Sequence, residues 1–254
     1  MSGSEITSDM KNELRKIMHG LQESEGGACA VGGCESPAVR KGFCETCADK
    51  AVDVWHEDEQ RRKDDERAEK VDGFIADTIG RAYTRCTWDV IEPRIKKRVG
   101  DALAARGSVI LTGDPGRGKT HILTCILRDL YLSGAECEVW TCADLFDHLR
   151  ALAMGDDPKA RKNFIHHFRE VDWLFLDDLG VGKDSEFVLE QLFRIIDWRS
   201  RDESPVVVTS NLTMQELGAK YDRRLSSRLT GLVRQGAGLG LKIEGKDHRK
   251  GGKK

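Results

Sequence analysis

A glycine-rich loop between a short apolar run and a helical pattern is the feature that most constrains the fold of this chain. Residues 108–112, SVILT, predict a short buried strand, and residues 121–134, HILTCILRDLYLSG, carry apolar side chains at helical spacing. The loop between them, GDPGRGKT, fits the phosphate-binding pattern G-x-x-x-x-G-K-S/T. Since such a loop requires a strand before it and a helix after it, the sequence predicts a nucleotide site here.

The chemistry of phosphate binding explains the residue types of this loop. Glycines let consecutive backbone N–H groups turn towards phosphate oxygens. Lys119 is expected to reach the β- and γ-phosphates of ATP, and Thr120 is expected to offer its hydroxyl to Mg²⁺. The predicted ATP-binding residues are Gly113, Asp114, Pro115, Gly116, Arg117, Gly118, Lys119, Thr120 and His121.

Two aspartates end a second apolar run, VDWLFLDD, at residues 171–178. A phosphate-binding loop needs a carboxylate from another buried strand to hold its metal ion. Asp177 is predicted to bind Mg²⁺ together with Thr120, and Asp178 is predicted to polarise the attacking water. An ordinary strand leaving the core is the alternative, and the preceding loop favours the metal interpretation.

Asn211 follows a third apolar run, PVVVTS, which predicts a buried strand at residues 205–210. At that position its amide is expected to hydrogen-bond the γ-phosphate or the attacking water. The alternative is that Asn211 caps the next helix, a role that Thr213 with Glu216 can fill instead.

Predicted strands and helices alternate along this part of the chain. Residues 136–141, ECEVWT, predict a strand, and Thr141 with Asp144 resembles a capping box for the helix ADLFDHLRAL. The segment SEFVLEQLFRIIDWRS predicts a helix with one apolar face, formed by Val188, Leu192, Ile195 and Ile196. The alternation predicts an α/β fold in which helices cover both faces of a parallel sheet.

Four of the eight cysteines form the pattern C-x4-C-x9-C-x2-C near the N-terminus. Two closely spaced pairs of thiolates suit the tetrahedral coordination of Zn²⁺, and four sulfur ligands indicate a structural site. Two disulfides or free thiols are the alternatives, and the absence of a secretion signal argues against disulfides. The predicted zinc ligands are Cys29, Cys34, Cys44 and Cys47, whereas Cys86, Cys125, Cys137 and Cys142 are predicted to be small buried apolar residues.

The formal net charge of −2 hides two oppositely charged ends. Residues 1–72 are acidic overall, and their charged stretch 55–71 predicts an exposed spacer helix with i,i+4 ion pairs. Residues 215–254 are basic, which indicates nucleic-acid contact or, alternatively, a solubilising tail. Further candidates for DNA contact are Arg161, Lys162 and Arg169. No stretch is long and apolar enough to span a membrane, so a cytoplasmic protein is expected.

Residues 84–249 resemble AAA+ ATPases of the DnaC/DnaI-like helicase-loader and IstB-like transposition-helper group. The resemblance rests on GDPGRGKTH, WLFLDDLG, VVVTSN and YDRRLSSRL, and more weakly on LKIEGKDHR. It implies that Asp177 is the Walker B metal residue, that Asp178 is the adjacent catalytic acid and that Asn211 is the sensor 1 residue. It also implies that Arg228 is an arginine finger supported by Arg224, acting on a neighbouring subunit of a ring or spiral. Two exposed surface arginines are the alternative.

Two departures from the wider superfamily affect the expected activity. Many members have glutamate where this chain has Asp178, and the shorter side chain is expected to slow hydrolysis. The chain also leaves no room for a helical lid, which is expected to make ATP act more as a binding switch than as fuel.

The resemblance implies three domains: an N-terminal helical and zinc-binding partner module with the spacer helix (1–72), an AAA+ ATPase domain without a C-terminal lid (73–249) and a basic tail (250–254). DnaI-like loaders carry an N-terminal zinc-binding domain, which residues 26–50 resemble. The resemblance therefore implies an ATPase that loads a replicative hexameric helicase onto single-stranded DNA and assembles into a homo-oligomer. The alternatives are an IstB-like helper that recruits a transposase and an ATP-switched DNA-binding adaptor with little catalysis.

Overall fold

The protein is represented by a computed structural model that describes residues 45–155, 157–181, 185–234 and 237–245. The chain divides into two units, of which the first ends at Glu69 and the second begins at Lys70, three residues before the predicted boundary. Residues 1–44, the greater part of the predicted N-terminal module, and the predicted basic tail (250–254) lie outside the described residues. Within the described part of the chain, no helix is both long and apolar enough to cross a membrane.

Helix α1 comprises Glu45–Thr78 and contains the charged run that predicted an exposed spacer helix. Glu59 contacts Lys63 at 3.4 Å, an i,i+4 pair expected from the sequence, and Arg62 at 2.7 Å, an i,i+3 pair. Oppositely charged side chains at such spacings favour a helix. The predicted helix is confirmed, and it is longer than the stretch 55–71.

The second unit continues with alternating helices and strands. Its elements are α2 (Pro93–Ala104), β1 (Val109–Thr112), α3 (Lys119–Leu132), β2 (Cys137–Thr141), α4 (Cys142–Met154), α5 (Pro158–Glu170), β3 (Trp173–Leu179), α6 (Glu186–Arg201), β4 (Val206–Ser210), α7 (Met214–Lys220), α8 (Arg223–Arg234) and β5 (Leu239–Lys242). The four predicted strands correspond to β1 to β4, whereas β5, α2 and α5 had no counterpart in the sequence analysis.

The five strands form one parallel sheet in the order β2-β3-β4-β1-β5. Successive residues of β4 enter opposite layers of the core: Val206 and Val208 pack with α4, α6 and α8, and Val207 packs with α2 and α3. A parallel sheet buried on both faces has this near-continuous apolar character. The predicted α/β class, with helices on both faces of a parallel sheet, is therefore confirmed.

The sheet order brings the ends of β1, β3 and β4 together. β4 lies between β3 and β1, and the carboxyl ends of parallel strands meet at one edge of the sheet. The phosphate-binding loop follows β1, the two aspartates end β3, and Asn211 follows β4. The topology thus places the three predicted parts of the nucleotide site side by side.

Candidate nucleotide-binding site

The phosphate-binding loop connects β1 to the N-terminus of α3, and its glycines have backbone conformations that other residues rarely adopt. Gly116 has φ 78° and Gly118 has φ 86°, both in the left-handed region. Gly113 has φ 138°, and a Cβ atom there would lie 2.4 Å from the carbonyl oxygen of Ile243. The sequence Gly-x-x-Gly-x-Gly is therefore required by the path of the backbone, which brings N–H groups to the start of a helix.

Lys119 is the centre of a hydrogen-bonded contact between this loop and β4. Its side chain is buried and its Nζ donates to the carbonyl oxygens of Gly113 at 2.7 Å and Asp114 at 2.8 Å. It also donates to Oδ1 of Asn211 at 2.6 Å. The capping box of α7 is formed by Thr213 and Glu216, which leaves the Asn211 amide to the nucleotide site.

Thr120 and Asp177 form the second contact across the site. The Thr120 hydroxyl lies 3.1 Å from both carboxylate oxygens of Asp177. Burial raises the pKa of the Asp177 carboxyl, while a hydrogen bond from Thr209 acts in the lowering direction. Hydroxyl and carboxylate oxygens are ligands that Mg²⁺ prefers. The Thr120 hydroxyl and the buried Asp177 carboxylate therefore form a donor set that fits a Mg²⁺ ion bound here with a nucleotide.

A cavity of about 150 Å³ collects most of the predicted residues around these two contacts. Four predicted residues of the loop and β3 are not among its described lining residues: Gly113, Asp114, Arg117 and Asp177. Arg117 pairs with Asp114 at 3.3 Å and also donates to the Gly245 carbonyl. His121 is held by its Nε2 atom, 2.8 Å from the Thr87 carbonyl oxygen. The described lining residues are Tyr83, Pro115, Gly116, Gly118, Lys119, Thr120, His121, Asp178 and Asn211.

Tyr83 is a lining residue that the sequence analysis missed. It belongs to a short 3-10 turn, Arg81–Tyr83, before the first strand, and it has no motif of its own. Its aromatic ring at the edge of a phosphate-binding cavity is suited to contact a nucleotide base.

Arg228 and Arg224 lie on α8 and are absent from the described lining of this cavity. Arg228 forms an ion pair with Asp197 of α6, with Nε 2.7 Å from Oδ1. Arg224 pairs with Asp222 at 2.7 Å, and its guanidinium lies 4.9 Å from the ring centre of Phe193. Neither arginine is therefore placed at the nucleotide cavity of its own chain.

A second cavity, of about 470 Å³, lies between α5 and α6 and is called the basic groove below. It brings together Arg161, Lys162 and Arg169, the three candidates for DNA contact, and adds Arg194 and Arg201 from α6. The other described residues lining the basic groove are Ile165, His166, Gln191, Asp197 and Trp198.

The cysteines outside the N-terminal pattern are mainly buried, as the sequence predicted. Cys86, Cys125 and Cys142 are buried, and Cys137 is partly buried. Burial raises the pKa of the Cys125 and Cys137 thiols to about 12. These thiols are therefore protonated at neutral pH and behave as small apolar groups.

Only one of the four predicted zinc ligands, Cys47, belongs to the described residues, and it is buried in α1. Cys29, Cys34 and Cys44 lie outside them. In the part of the chain that the structure describes, no group of three or more His, Cys, Asp or Glu side chains is placed to hold a metal ion. The zinc site stays a prediction.

The fold and the site together define a P-loop nucleotide-binding protein of the AAA+ class. Residues 99–250 match the family of IstB-like ATP binding proteins, and the chain belongs to that family. The chain is also similar to the replicative helicase loader DnaC of Buchnera aphidicola subsp. Acyrthosiphon pisum, with 28% identity over 142 residues, which is 56% of each protein. The predicted membership of the DnaC/DnaI-like and IstB-like group is confirmed.

Solved structures show the same fold. A crystal structure of DnaI has a TM-score of 0.53 and 22% identity, over 65% of this chain and 91% of that one. A crystal structure of the DnaC helicase loader has a TM-score of 0.51 and 20% identity, over 64% of this chain and 99% of that one. The chain spans about half the length of the curated relatives it matches.

Proposed function

We propose that this protein binds and hydrolyses ATP and loads a replicative hexameric DNA helicase onto single-stranded DNA in the cytoplasm. The observation that supports the ATPase most is the pair of contacts across the site, Lys119 with Asn211 and Thr120 with Asp177. The helicase-loading step is taken from the DnaC relatives, which are replicative helicase loaders.

The described residues of the nucleotide site have distinct roles in the proposed ATP hydrolysis. The loop N–H groups and Lys119 hold the phosphates, while Thr120 and Asp177 would hold Mg²⁺, which neutralises the developing charge when bound. Asp178 lines the cavity and lies 3.5 Å from the Asn211 amide nitrogen, so these two side chains are placed to orient a water. The short side chain of Asp178 favours slow turnover.

Arg228 is proposed to complete the site of a neighbouring subunit in a homo-oligomeric ring or spiral, with Arg224 supporting it. A guanidinium is permanently charged and matches the oxygens of a γ-phosphate. The ion pair with Asp197 holds the Arg228 guanidinium within its own subunit until assembly brings it close to the γ-phosphate bound by a neighbour. Hydrolysis would then depend on assembly.

Replacing Arg228 with alanine is expected to lower ATP turnover by about 10³-fold while ATP binding stays nearly unchanged. The direct measurement is a mixing experiment: Lys119→Ala subunits supply the finger, and Arg228→Ala subunits supply an intact nucleotide site. Turnover should reappear in the mixture. Arg67→Ala, on α1, is the matched control. An Arg228→Ala protein that hydrolyses ATP at the wild-type rate would exclude the finger.

The basic groove is proposed to hold the backbone of single-stranded DNA. Among its described lining residues the one acid is Asp197, and this carboxylate already pairs with Arg201 and Arg228. Trp198 lies on the groove wall with the Arg169 guanidinium 5.4 Å from its ring centre. Cations beside an aromatic surface suit phosphates and stacked bases of a single strand.

Exchanging Lys162 and Arg169 together for alanine is expected to weaken binding of an oligothymidylate. The negative slope of log affinity against log salt concentration should become shallower by about 1.4, because each of the two lost phosphate contacts on a single strand contributes about 0.7. Fluorescence anisotropy over a salt series measures both effects. The control is Arg94→Ala with Lys97→Ala on α2, and an unchanged slope in the groove variant would place the DNA elsewhere.

Residues 1–72 are proposed to form the module that binds the helicase, with Zn²⁺ held by Cys29, Cys34, Cys44 and Cys47. The cysteine-rich stretch, residues 26–50, is short, contains several glycines and has too few apolar residues to fold alone, so metal binding would supply its folding free energy. Residues 73–249 would then be the ATPase domain, and 250–254 a basic tail.

An IstB-like transposition helper is the second candidate function, and it rests on the match to the family of IstB-like ATP binding proteins. The DnaC relatives support helicase loading instead. In that case the N-terminal module would bind a transposase rather than a helicase. A third candidate is an adaptor in which ATP orders the assembly with little catalysis. Measurement of ATP turnover with and without single-stranded DNA separates this adaptor from an ATPase.

A further inference from the structure

The two aspartates of β3 lie on a bulge in the sheet. β3 and β4 are in register at Leu176 and Val208 and again at Leu179 and Ser210. Between these pairs, two residues of β3 stand opposite one residue of β4, Thr209. Asp178, the second of the two, has φ 55°, in the left-handed region that an aspartate tolerates better than most side chains.

The bulge brings both acids to the nucleotide cavity. In a regular strand, successive side chains point to opposite faces, so Asp177 and Asp178 would be separated by the sheet. Here Asp177 contacts the Thr120 hydroxyl, and Asp178 lines the same cavity as Thr120. A bulge beside a site commonly redirects one side chain in this way.

Thr209 connects the two acids through one hydroxyl group. Its Oγ1 accepts a hydrogen bond from the backbone N–H of Asp178 at 2.8 Å and donates one to Oδ1 of Asp177 at 2.5 Å. The residue is fully buried. The bulge interrupts the hydrogen bonds between β3 and β4 at Asp178. The Thr209 hydroxyl therefore accepts a hydrogen bond from the Asp178 N–H and donates its own proton to the Asp177 carboxylate.

We propose that Thr209 is a positioning residue: its hydroxyl fixes the bulge, and thereby aims Asp177 at the metal and Asp178 at the attacking water. This role rests on the proposed ATPase function. A valine has nearly the shape of threonine but leaves both the Asp178 N–H and the Asp177 carboxylate short of one buried hydrogen bond.

The test compares Thr209→Val with Thr209→Ser, using ADP as the probe with Mg²⁺ and with a chelator. In Thr209→Val, the gain in ADP affinity on adding Mg²⁺ is expected to fall about 10-fold or more, as for other groups that orient a metal ligand. Affinity in the chelator should stay within about 2-fold, because the phosphate-binding loop is unchanged. In Thr209→Val, kcat should fall by a larger factor than KM changes. Thr209→Ser should restore both kcat and the Mg²⁺-dependent gain in ADP affinity.

Thr78→Val is the matched control, since its hydroxyl donates only to the Phe74 carbonyl oxygen within α1. Circular dichroism checks folding, and if Thr209→Val does not fold, Thr209→Ala carries the same expectation. A folded valine variant with wild-type Mg²⁺ dependence and kcat overturns the role of Thr209 and leaves the ATPase proposal intact. An equal loss with and without Mg²⁺ also overturns it, because that result marks a structural role. A wild-type protein without Mg²⁺-dependent nucleotide binding overturns both proposals.

Discussion

Replacing Lys119 with alanine is expected to lower ATP turnover by about 10²–10³-fold, the usual cost of removing a group that stabilises charge in a transition state. The Lys119 ammonium is buried among the Gly113 and Asp114 carbonyls and the Asn211 amide oxygen. The Lys119 ammonium is therefore positioned at the N-terminus of α3 before a nucleotide binds. Alanine removes this cation and also the partner of Asn211.

Phosphate release under excess ATP, in the presence of single-stranded DNA, measures the effect of Lys119→Ala. Lys97→Ala, an exposed lysine of α2, is the matched control and should keep the wild-type rate. If Lys119→Ala hydrolyses ATP at the wild-type rate, the ATPase proposal is rejected, and the measured hydrolysis has another source.

Replacing Arg199 with methionine is expected to lower the free energy of unfolding by at least about 1.5–3 kcal/mol, the usual contribution of hydrogen bonds to a charged group. Arg199 is fully buried on α6. Its guanidinium donates to the carbonyl oxygens of Phe168 at 2.7 Å, Val171 at 3.2 Å, Asp172 at 3.1 Å and Pro205 at 2.8 Å. It thereby ties the end of α5 to the starts of β3 and β4. Methionine fills similar space but removes one buried donor from each of these carbonyl oxygens.

Urea unfolding followed by circular dichroism measures the loss in Arg199→Met. The control is Arg201→Met, two residues along the same helix, where an exposed side chain pairs with Asp197. Because the Arg201 side chain is exposed and the buried Asp197 carboxylate keeps its pairing with Arg228, this variant should lose about 1 kcal/mol or less. An Arg199→Met protein with a loss as small as that of the control would contradict the role assigned to the buried guanidinium.

Short-range patterns were sufficient to predict the centre of the site. The phosphate-binding loop depends on residues that are adjacent in the chain, and β4 is a continuous apolar run that reads as buried on both faces. The N-cap of α4 at Thr141 and the capping box of α7 at Thr213 also lie within four residues. Such features carry their physical cause in the local sequence.

Elements that depend on distant neighbours could not be predicted in this way. β5 contains Gly240 and follows Gly238, whose missing Cβ would lie 2.5 Å from the Leu232 carbonyl oxygen. Glycines therefore mark close packing there, although in a sequence they favour a loop. α5 has only a few apolar residues, but its start at Asp157 and Pro158 carries ordinary N-terminal signals that could have found it.

The bulge in β3 could not be predicted from the sequence. Two adjacent aspartates after an apolar run predict a strand end, but their register depends on the partner strand, and Thr209 is more than thirty residues away along the chain. The pairing of Arg228 with Asp197 is likewise set by how α8 packs on α6.

Association with the replicative helicase tests the central proposal most directly. The full-length protein is mixed with the hexameric helicase of its host and with ATP, and complexes are recovered by co-purification. We expect the wild-type protein to bind the helicase and a variant carrying Cys44→Ser and Cys47→Ser not to bind it, because the zinc-binding module is proposed to form the contact. If the helicase never associates while a transposase from the same host does, the helicase-loader function is contradicted.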